Sequence, residues 1–284
     1  MSDGFSLFCK KWSASGQAER ALVFLHGIEV HSGAFGFMGP ELAQAGNVVY
    51  GFDRRGMGNS KEPNFPRGDC QSFERHLEDL NEVVDFVREK EADKKLIVFG
   101  HSVGCAYALW YGAHYQQKVD GLILASPPVK AGFKVPLGDT LKILFSSAYH
   151  HHSMYDLVDE WPKVFKESEE YKLITEDELC TKQFGLGFLF NVQTKLADKM
   201  VPNASKIEKP VLIIHGQEDV IALPESSKII LSKVSSSNKT LHFFEGEGAD
   251  HWFYQSLIPK MSSRYDLEKK RTVSAFVSDW LAKI

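Results

Sequence analysis

The stretch LIVFGHSVGCAYALW, residues 96–110, places a serine between two glycines directly after a run of apolar residues. Gly100-His101-Ser102-Val103-Gly104 fits the pattern G-x-S-x-G, in which the serine occupies a sharp turn from a buried strand into a helix. The five residues alone admit two readings. Ser102 is either a small residue tolerated in a tight turn or a nucleophile whose hydroxyl projects above a sheet. The surroundings favour the second, with a strand-like run before the serine and an Ala- and aromatic-rich helical segment after it. Small residues two positions before and after Ser102 suit a strained backbone that brings neighbouring chains close. The N-terminus of the following helix favours negative charge developing beside the hydroxyl.

Around this turn, short apolar runs recur: ALVFLH (21–26), NVVYGF (47–52), LIVFG (96–100), GLILA (121–125), VLIIH (211–215) and TLHFF (240–244). Each reads as a strand buried on both faces, the signature of a parallel sheet covered by helices. Leu77, Leu80, Val83, Val84 and Val87 recur at helical spacing, so 74–91 reads as an amphipathic helix. Residues 103–115, 224–234 and 266–282 also read as helices. The alternation predicts an α/β fold with a doubly wound, mostly parallel sheet. It breaks once, from Pro127 to about Ala204, where helical stretches with aromatics replace any strand pattern. The expected organisation is therefore a core of 1–126 and 205–284 with a helical cap insertion at 127–204. Ligands in such sheets bind beyond the carboxyl ends of the strands, where this insertion would act as a lid.

Composition narrows the function classes. The chain has 284 residues, 43% hydrophobic and 25% charged, with a net charge of −4. Basic residues are scattered rather than gathered in a stripe, which argues against nucleic acid as a partner. Cys9, Cys70, Cys105 and Cys180 lie far apart without C-x-x-C spacing, so neither a zinc site nor a disulfide framework is expected. Free thiols, an N-terminus without signal-peptide layout and no apolar run of bilayer length give the expectation of a cytoplasmic protein.

A serine hydroxyl needs a base, and the base needs an orienting acid. Of eleven histidines, His76 and His114 fall in helices, His242 in a strand, and His101 on the wrong side of the alternation beside the serine. His150, His151 and His152 form a tract in the insertion, read as solvated because no partner has metal-ligand spacing. His251 lies in EGEGADHWFY, a Gly-rich loop directly after the last strand. VLIIHGQEDVIALP ends a strand and offers Glu218 and Asp219 in a turn, where G-x-x-D spacing favours Asp219. The order Ser102, Asp219, His251 is that of α/β-hydrolases. Two backbone donors are needed for a developing oxyanion: the amide of Val103, and that of Ile28 in FLHGIEVHSG. His26 reads as a structural hydrogen-bonding residue. GFDRRGMGNS, with Arg54, Arg55 and Ser60, admits a phosphate-binding loop; its resemblance to the turn beyond a strand in α/β-hydrolases implies instead a structural turn whose Asp53 satisfies local amides.

The segments LHGIEVHSGAF, GFDRRGMGNS, GHSVG, IIHGQEDVIALP and GADHW resemble the α/β-hydrolase superfamily, and within it the monoacylglycerol lipase and lysophospholipase branch. The resemblance covers nearly the whole chain. It implies a serine esterase with a helical cap, acting on a small-molecule ester or lipid and needing no metal and no organic cofactor. Two departures stand out. The branch usually reads H-G-x-x-E-H-S-G, but here Val30 holds the acidic position and Glu29 stands one residue earlier, as a candidate substrate-binding residue. Cys105 replaces a common second glycine after the elbow and reads as a packed thiol. In the insertion, Leu137, Leu141, Leu144 and Phe145 form a near-helical stripe. That stripe is a packed cap face, an apolar entrance for acyl chains, or a surface that touches a membrane. Competing activities on the same residues are carbon–carbon or amide cleavage, acyl transfer to an alcohol, and non-catalytic binding.

Overall fold

The computed structural model describes residues 1–149, 152–167, 169–255 and 267–284. Among these, seven strands form one sheet in the order β1-β3-β2-β4-β5-β8-β9. They are β1 Cys9–Trp12, β2 Arg20–Leu25, β3 Asn47–Phe52, β4 Lys95–His101, β5 Gly121–Ala125, β8 Val211–Gly216 and β9 Lys239–Phe244. All neighbours are parallel except β1, which pairs antiparallel with β3. The helices are α1 Met38–Gln44, α2 Phe73–Lys90, α3 Val103–His114, α9 Glu225–Lys233 and α10 Leu267–Leu281 around the sheet. The segment between β5 and β8 carries α4 Leu137–Tyr149, α5 Lys163–Lys166, α6 Glu169–Glu176, α7 Leu186–Asn191 and α8 Met200–Ala204. It also holds a small antiparallel pair, β6 Met154–Asp156 with β7 Gln183–Gly185.

The strand interiors lack polar alternation because both faces are covered. Val23, Val98, Leu122, Leu124 and Ile213 pack in the core that includes α2 and α3. Their sequence neighbours Leu22, Ile97, Ile123 and Leu212 pack in a second core with α1 and α10. Successive side chains of a strand point to opposite faces, so one continuous apolar run supplies two cores.

The expected strands and helices appear within one or two residues of their predicted limits. Two features differ from expectation. β1, with sequence CKKW, is an exposed edge strand, and exposure removes the apolar signal. The 127–204 segment contains strand after all, in β6 and β7, but three residues each are too short to show a period.

The sheet positions the site by register. Leu25 pairs with Gly100, Gly100 with Leu124, Leu124 with Ile213, and Ile213 with Leu241. The carboxyl ends of five strands therefore open along one edge. At that edge α3 crosses very close to β2: a Cβ on Gly104 would sit 2.1 Å from the Leu25 carbonyl oxygen, and one on Gly100 would sit 2.3 Å from the Gly104 oxygen. Gly104→Ala is expected to destabilise the fold by about 1–3 kcal/mol, as overpacking does. Gly138→Ala in α4, where nothing lies within 4 Å, should be neutral or stabilising. Thermal unfolding of the two variants reads the difference.

Candidate active site

Ser102 sits between β4 and α3 with φ 52° and ψ −123°, a left-handed conformation that costs about 1–3 kcal/mol in a non-glycine residue. The turn is held by the Ser102 N–H donating to the Ala125 carbonyl at 2.9 Å, and by the Cys105 N–H donating to the Ser102 carbonyl at 2.8 Å. As the first helical residue, Val103 has an N–H without an intrahelical acceptor. The Cys105 thiol is fully buried, with its Sγ 3.2 Å from both the Gly100 and Ala125 carbonyl oxygens, either of which can take its one hydrogen. Burial pushes its pKa well up, so it packs as a neutral thiol against the turn.

Asp219 follows β8 and is buried. Its Oδ1 accepts the Ile221 N–H at 2.9 Å and the Ala222 N–H at 2.8 Å. Its Oδ2 meets His251 Nδ1 at 2.7 Å and His215 Nε2 at 3.0 Å. Burial alone would raise the carboxyl's pKa, but the charge and hydrogen bonds of the two imidazoles hold it well below the usual carboxylate range. The reciprocal effect acts on His251. Burial disfavours its charged form, yet the Asp219 carboxylate outweighs this and lifts the imidazole above its ordinary value. The bond to Asp219 places the Nδ1 proton, which leaves Nε2 as the acceptor in the neutral ring. Glu218, the weaker sequence candidate, instead accepts the Gly248 N–H at 3.1 Å.

The loop after β2 faces the same edge. His26 is a structural residue, with Nδ1 on the Gly27 carbonyl at 2.8 Å and Nε2 accepting the Arg54 N–H at 3.1 Å. Asp53 accepts the Ser32 and Asn59 amides at 2.7 Å each, so its turn is structural as expected. The Ile28 N–H meets no acceptor among the described residues. Glu29 is buried, its Oε1 accepts the Trp252 Nε1–H at 2.9 Å, and desolvation raises its carboxyl above the ordinary range.

Ser102, His251, Ile28, Val103 and Glu29 all line one cavity of about 540 Å³. Phe133, Val135, Ile143, Leu157, Trp161 and Leu189 of the 127–204 segment provide much of its apolar wall. Asp219 stands behind His251 and does not line the cavity. Ser102, Val103, Ile28, Glu29 and His251 thus share one cavity, with Asp219 bonded to His251.

Several contributors escaped the sequence reading. His101 donates through Nε2 to the His251 carbonyl at 2.9 Å, fixing the backbone of the loop. His215 looked like the end of a strand, yet it supports Asp219 and also contacts Ser227 Oγ at 2.6 Å. The one available signal was their position at strand ends. His152 is exposed, as expected, with Asp69 Oδ2 2.6 Å from its Nδ1; His150 and His151 lie outside the described residues. For metals, His31, Asp177 and Cys180 bring ligand atoms within 4.8 Å of one another. The Gly33 N–H donates to His31 Nδ1 at 3.1 Å, which leaves Nε2 protonated toward Asp177 Oδ2 at 3.2 Å. The arrangement is that of a hydrogen bond between loops, with the imidazole's lone pair already used.

The chain is similar to an uncharacterized abhydrolase domain-containing protein of Dictyostelium discoideum, 26% identical over 251 residues, covering 86% of this chain and 26% of that protein. It is 27% identical over 250 residues to the monoglyceride lipase of Mus musculus, covering 86% of this chain and 80% of that protein. The crystal structure of a Paleococcus ferrophilus monoacylglycerol lipase superposes with a TM-score of 0.78 at 22% identity, covering 98% of this chain and 99% of that one. The family profile described as serine aminopeptidase, S33, matches residues 16–251. The chain belongs to that family of α/β-hydrolases, in its monoacylglycerol lipase-like branch.

Proposed function

We propose that this protein is a serine ester hydrolase acting on lipid esters with one acyl chain, of the monoacylglycerol or lysophospholipid kind. The observation that carries the reading is the shared cavity: Ser102 and the Asp219-bound His251 open into a space walled largely by apolar side chains. Such a space suits an acyl chain with few polar anchors. The monoglyceride lipase of mouse and the monoacylglycerol lipase of Paleococcus ferrophilus, to which the chain is similar, support it.

On this reading His251 Nε2 takes the Ser102 proton as Oγ attacks the ester carbonyl, and Asp219 stabilises the imidazolium. The Ile28 and Val103 amides receive the oxyanion. His251 then returns the proton to the departing alcohol, leaving an acyl-serine. Water, deprotonated by His251, attacks the acyl-serine, and Ser102 is regenerated with release of the fatty acid. Glu29 anchors the alcohol portion. Residues 127–204 act as the cap over 1–126 and 205–284.

The family description brings a second reading, cleavage of peptide substrates, and Glu29 favours it as a carboxyl that could hold an amino terminus. Burial opposes this, because desolvation raises the Glu29 carboxyl above its ordinary value and so works against the charged form that would attract an ammonium group. A panel of monoacylglycerols, lysophospholipids and aminoacyl anilides separates the two. Ester turnover should dominate, and Ser102→Ala should lower it at least ~10⁴-fold while the unfolding midpoint stays in place. Dominant anilide turnover would reverse the assignment, and an active Ser102→Ala would end it.

Hydrolysis requires neutral His251, so kcat/KM should rise with pH through a midpoint above the ordinary imidazole value, as the raised His251 implies. Asp219→Asn removes the charge that raises it and should shift this limb to lower pH, with kcat down by about 10⁴-fold. A limb that stays in place would separate Asp219 from the base.

Among the described residues, no helix is long and apolar enough to cross a membrane. The reading places the protein in the reducing cytoplasm, supported by its four free thiols, with the cap meeting lipid surfaces. On α4, Leu137 is 75% and Phe145 71% exposed, and Leu141 shares their stripe. Thr140 and Ile143 of the same helix line the cavity. Leu141→Ser with Phe145→Ser should weaken binding to phosphatidylcholine vesicles several-fold and leave turnover of a water-soluble butyrate ester unchanged. Unaltered vesicle binding would remove the lipid-surface role.

A further inference from the structure

Two adjacent arginines after β3 have opposite surroundings. Arg55 pairs with Asp3, Glu62 and Asp79. Arg54 is equally buried, at 3% exposure, yet among the described residues no carboxylate is in ion-pair contact with it. Its guanidinium lies over the Tyr107 ring at 5.1 Å and spends its terminal nitrogens on two successive carbonyls. Nη1 donates to the His26 oxygen and Nη2 to the Gly27 oxygen at 2.6 Å. The Arg54 amide also donates to His26 Nε2 at 3.1 Å, and His26 Nδ1 contacts the same Gly27 oxygen at 2.8 Å. Arg54 Nε is left buried with no partner. A burying environment is costly for an unpaired cation, so the arrangement favours the loop rather than the arginine.

The geometry of the peptide bond links this clamp to the chemistry. Among the described residues no cis peptide is present, and in a trans peptide the C=O and the following N–H point in opposite directions. The peptide joining Gly27 to Ile28 presents its oxygen to Arg54, so its N–H points away, on the side where Ile28 lines the cavity with Ser102. Hydrogen-bonded peptide units polarise one another, and a cation on the carbonyl makes the N–H beyond it a stronger donor. Resting on the proposed role of the Ile28 amide, we infer that Arg54 is a positioning residue for the oxyanion. It fixes the direction of the Ile28 N–H and strengthens that donor through the Gly27–Ile28 peptide, without touching substrate.

A purely structural clamp and a transition-state clamp differ in what they discriminate. The test uses the full chain with an alkyl trifluoromethyl ketone, which gives a serine adduct carrying an oxyanion, and the matching carbinol, which cannot. Arg54→Met should lower kcat on a p-nitrophenyl ester about 10–100-fold, less than loss of a whole donor, with KM within about twofold. Ketone affinity should fall by a similar factor while carbinol affinity holds. Arg54→Lys, which keeps the charge and one hydrogen bond, should recover part of both. Equal weakening of ketone and carbinol, or a kcat loss matched by the unfolded fraction, would overturn the inference. If Arg54→Met does not fold, the ketone-to-carbinol ratio of Arg54→Lys and Arg54→Gln decides, and an unchanged ratio in both overturns it. Wild-type protein that binds the ketone no better than the carbinol would instead overturn the underlying assignment of Ser102 and the Ile28 amide.

Discussion

Four hydrogen bonds converge on the buried carboxylate of Asp219, and the rest of the site depends on them. An isolated carboxylate removed from water would be costly by several kcal/mol. Here Oδ1 is met by two amides of its own loop, and Oδ2 by His215 and His251. The charge is therefore stable where it lies, and it determines which nitrogen of His251 carries the proton. His101 holds the other end of that residue through its carbonyl, so the imidazole is constrained at ring and backbone. Two loops must come together for this to happen. A Cβ on Gly216 would lie 2.2 Å from the Ala249 oxygen, so the glycine of G-x-x-D is what lets the Asp219 and His251 loops touch.

Close backbone approach recurs on the Ser102 side, where α3 leans on the end of β2. The loop after β2 is tethered from both sides. Arg54 and Asp53 bind it from the core, while the Thr181 N–H of the 127–204 segment donates to the Glu29 carbonyl at 2.7 Å. Arg67 adds a bond to the Glu178 carbonyl at 2.7 Å. Residues 177–183 therefore brace the loop that presents Ile28 and Glu29. A change there would reach the chemistry through the loop, even though the residues are remote in sequence.

The sheet, its mostly parallel character and the edge that bears the site were legible because burial on both faces writes an unbroken apolar run. Gly100, Gly104 and Gly216 were legible as small residues at turns, and Ser102, Asp219 and His251 as polar residues at strand ends. β1, β6 and β7 were not legible. An exposed edge strand such as CKKW carries no apolar period, and three-residue strands carry no period at all. His101, His215 and Arg54 were hidden for another reason. Their partners are backbone carbonyls and a carboxylate brought near by tertiary structure, and spacing along the chain does not encode such contacts. Only folding brings the Trp252 indole N–H to Glu29.

Glu29 shows how burial and charge together can select a substrate. Ionised, it would place a negative charge in the cavity where the oxyanion forms, and the low-dielectric walls would strengthen that repulsion. Desolvation works against that charged form and raises the carboxyl above its ordinary value, while the His251 and Arg54 charges and the Trp252 hydrogen bond work the other way. The Trp252 indole takes Oε1, fixing the plane of the group while its other oxygen faces the space near Gly27. A carboxyl held in this way can accept hydrogen bonds from a hydroxylated alcohol. The displaced acid of HGIEVHSG therefore need not abolish recognition of a polyol head group, since the fold brings Glu29 to the cavity from the neighbouring position.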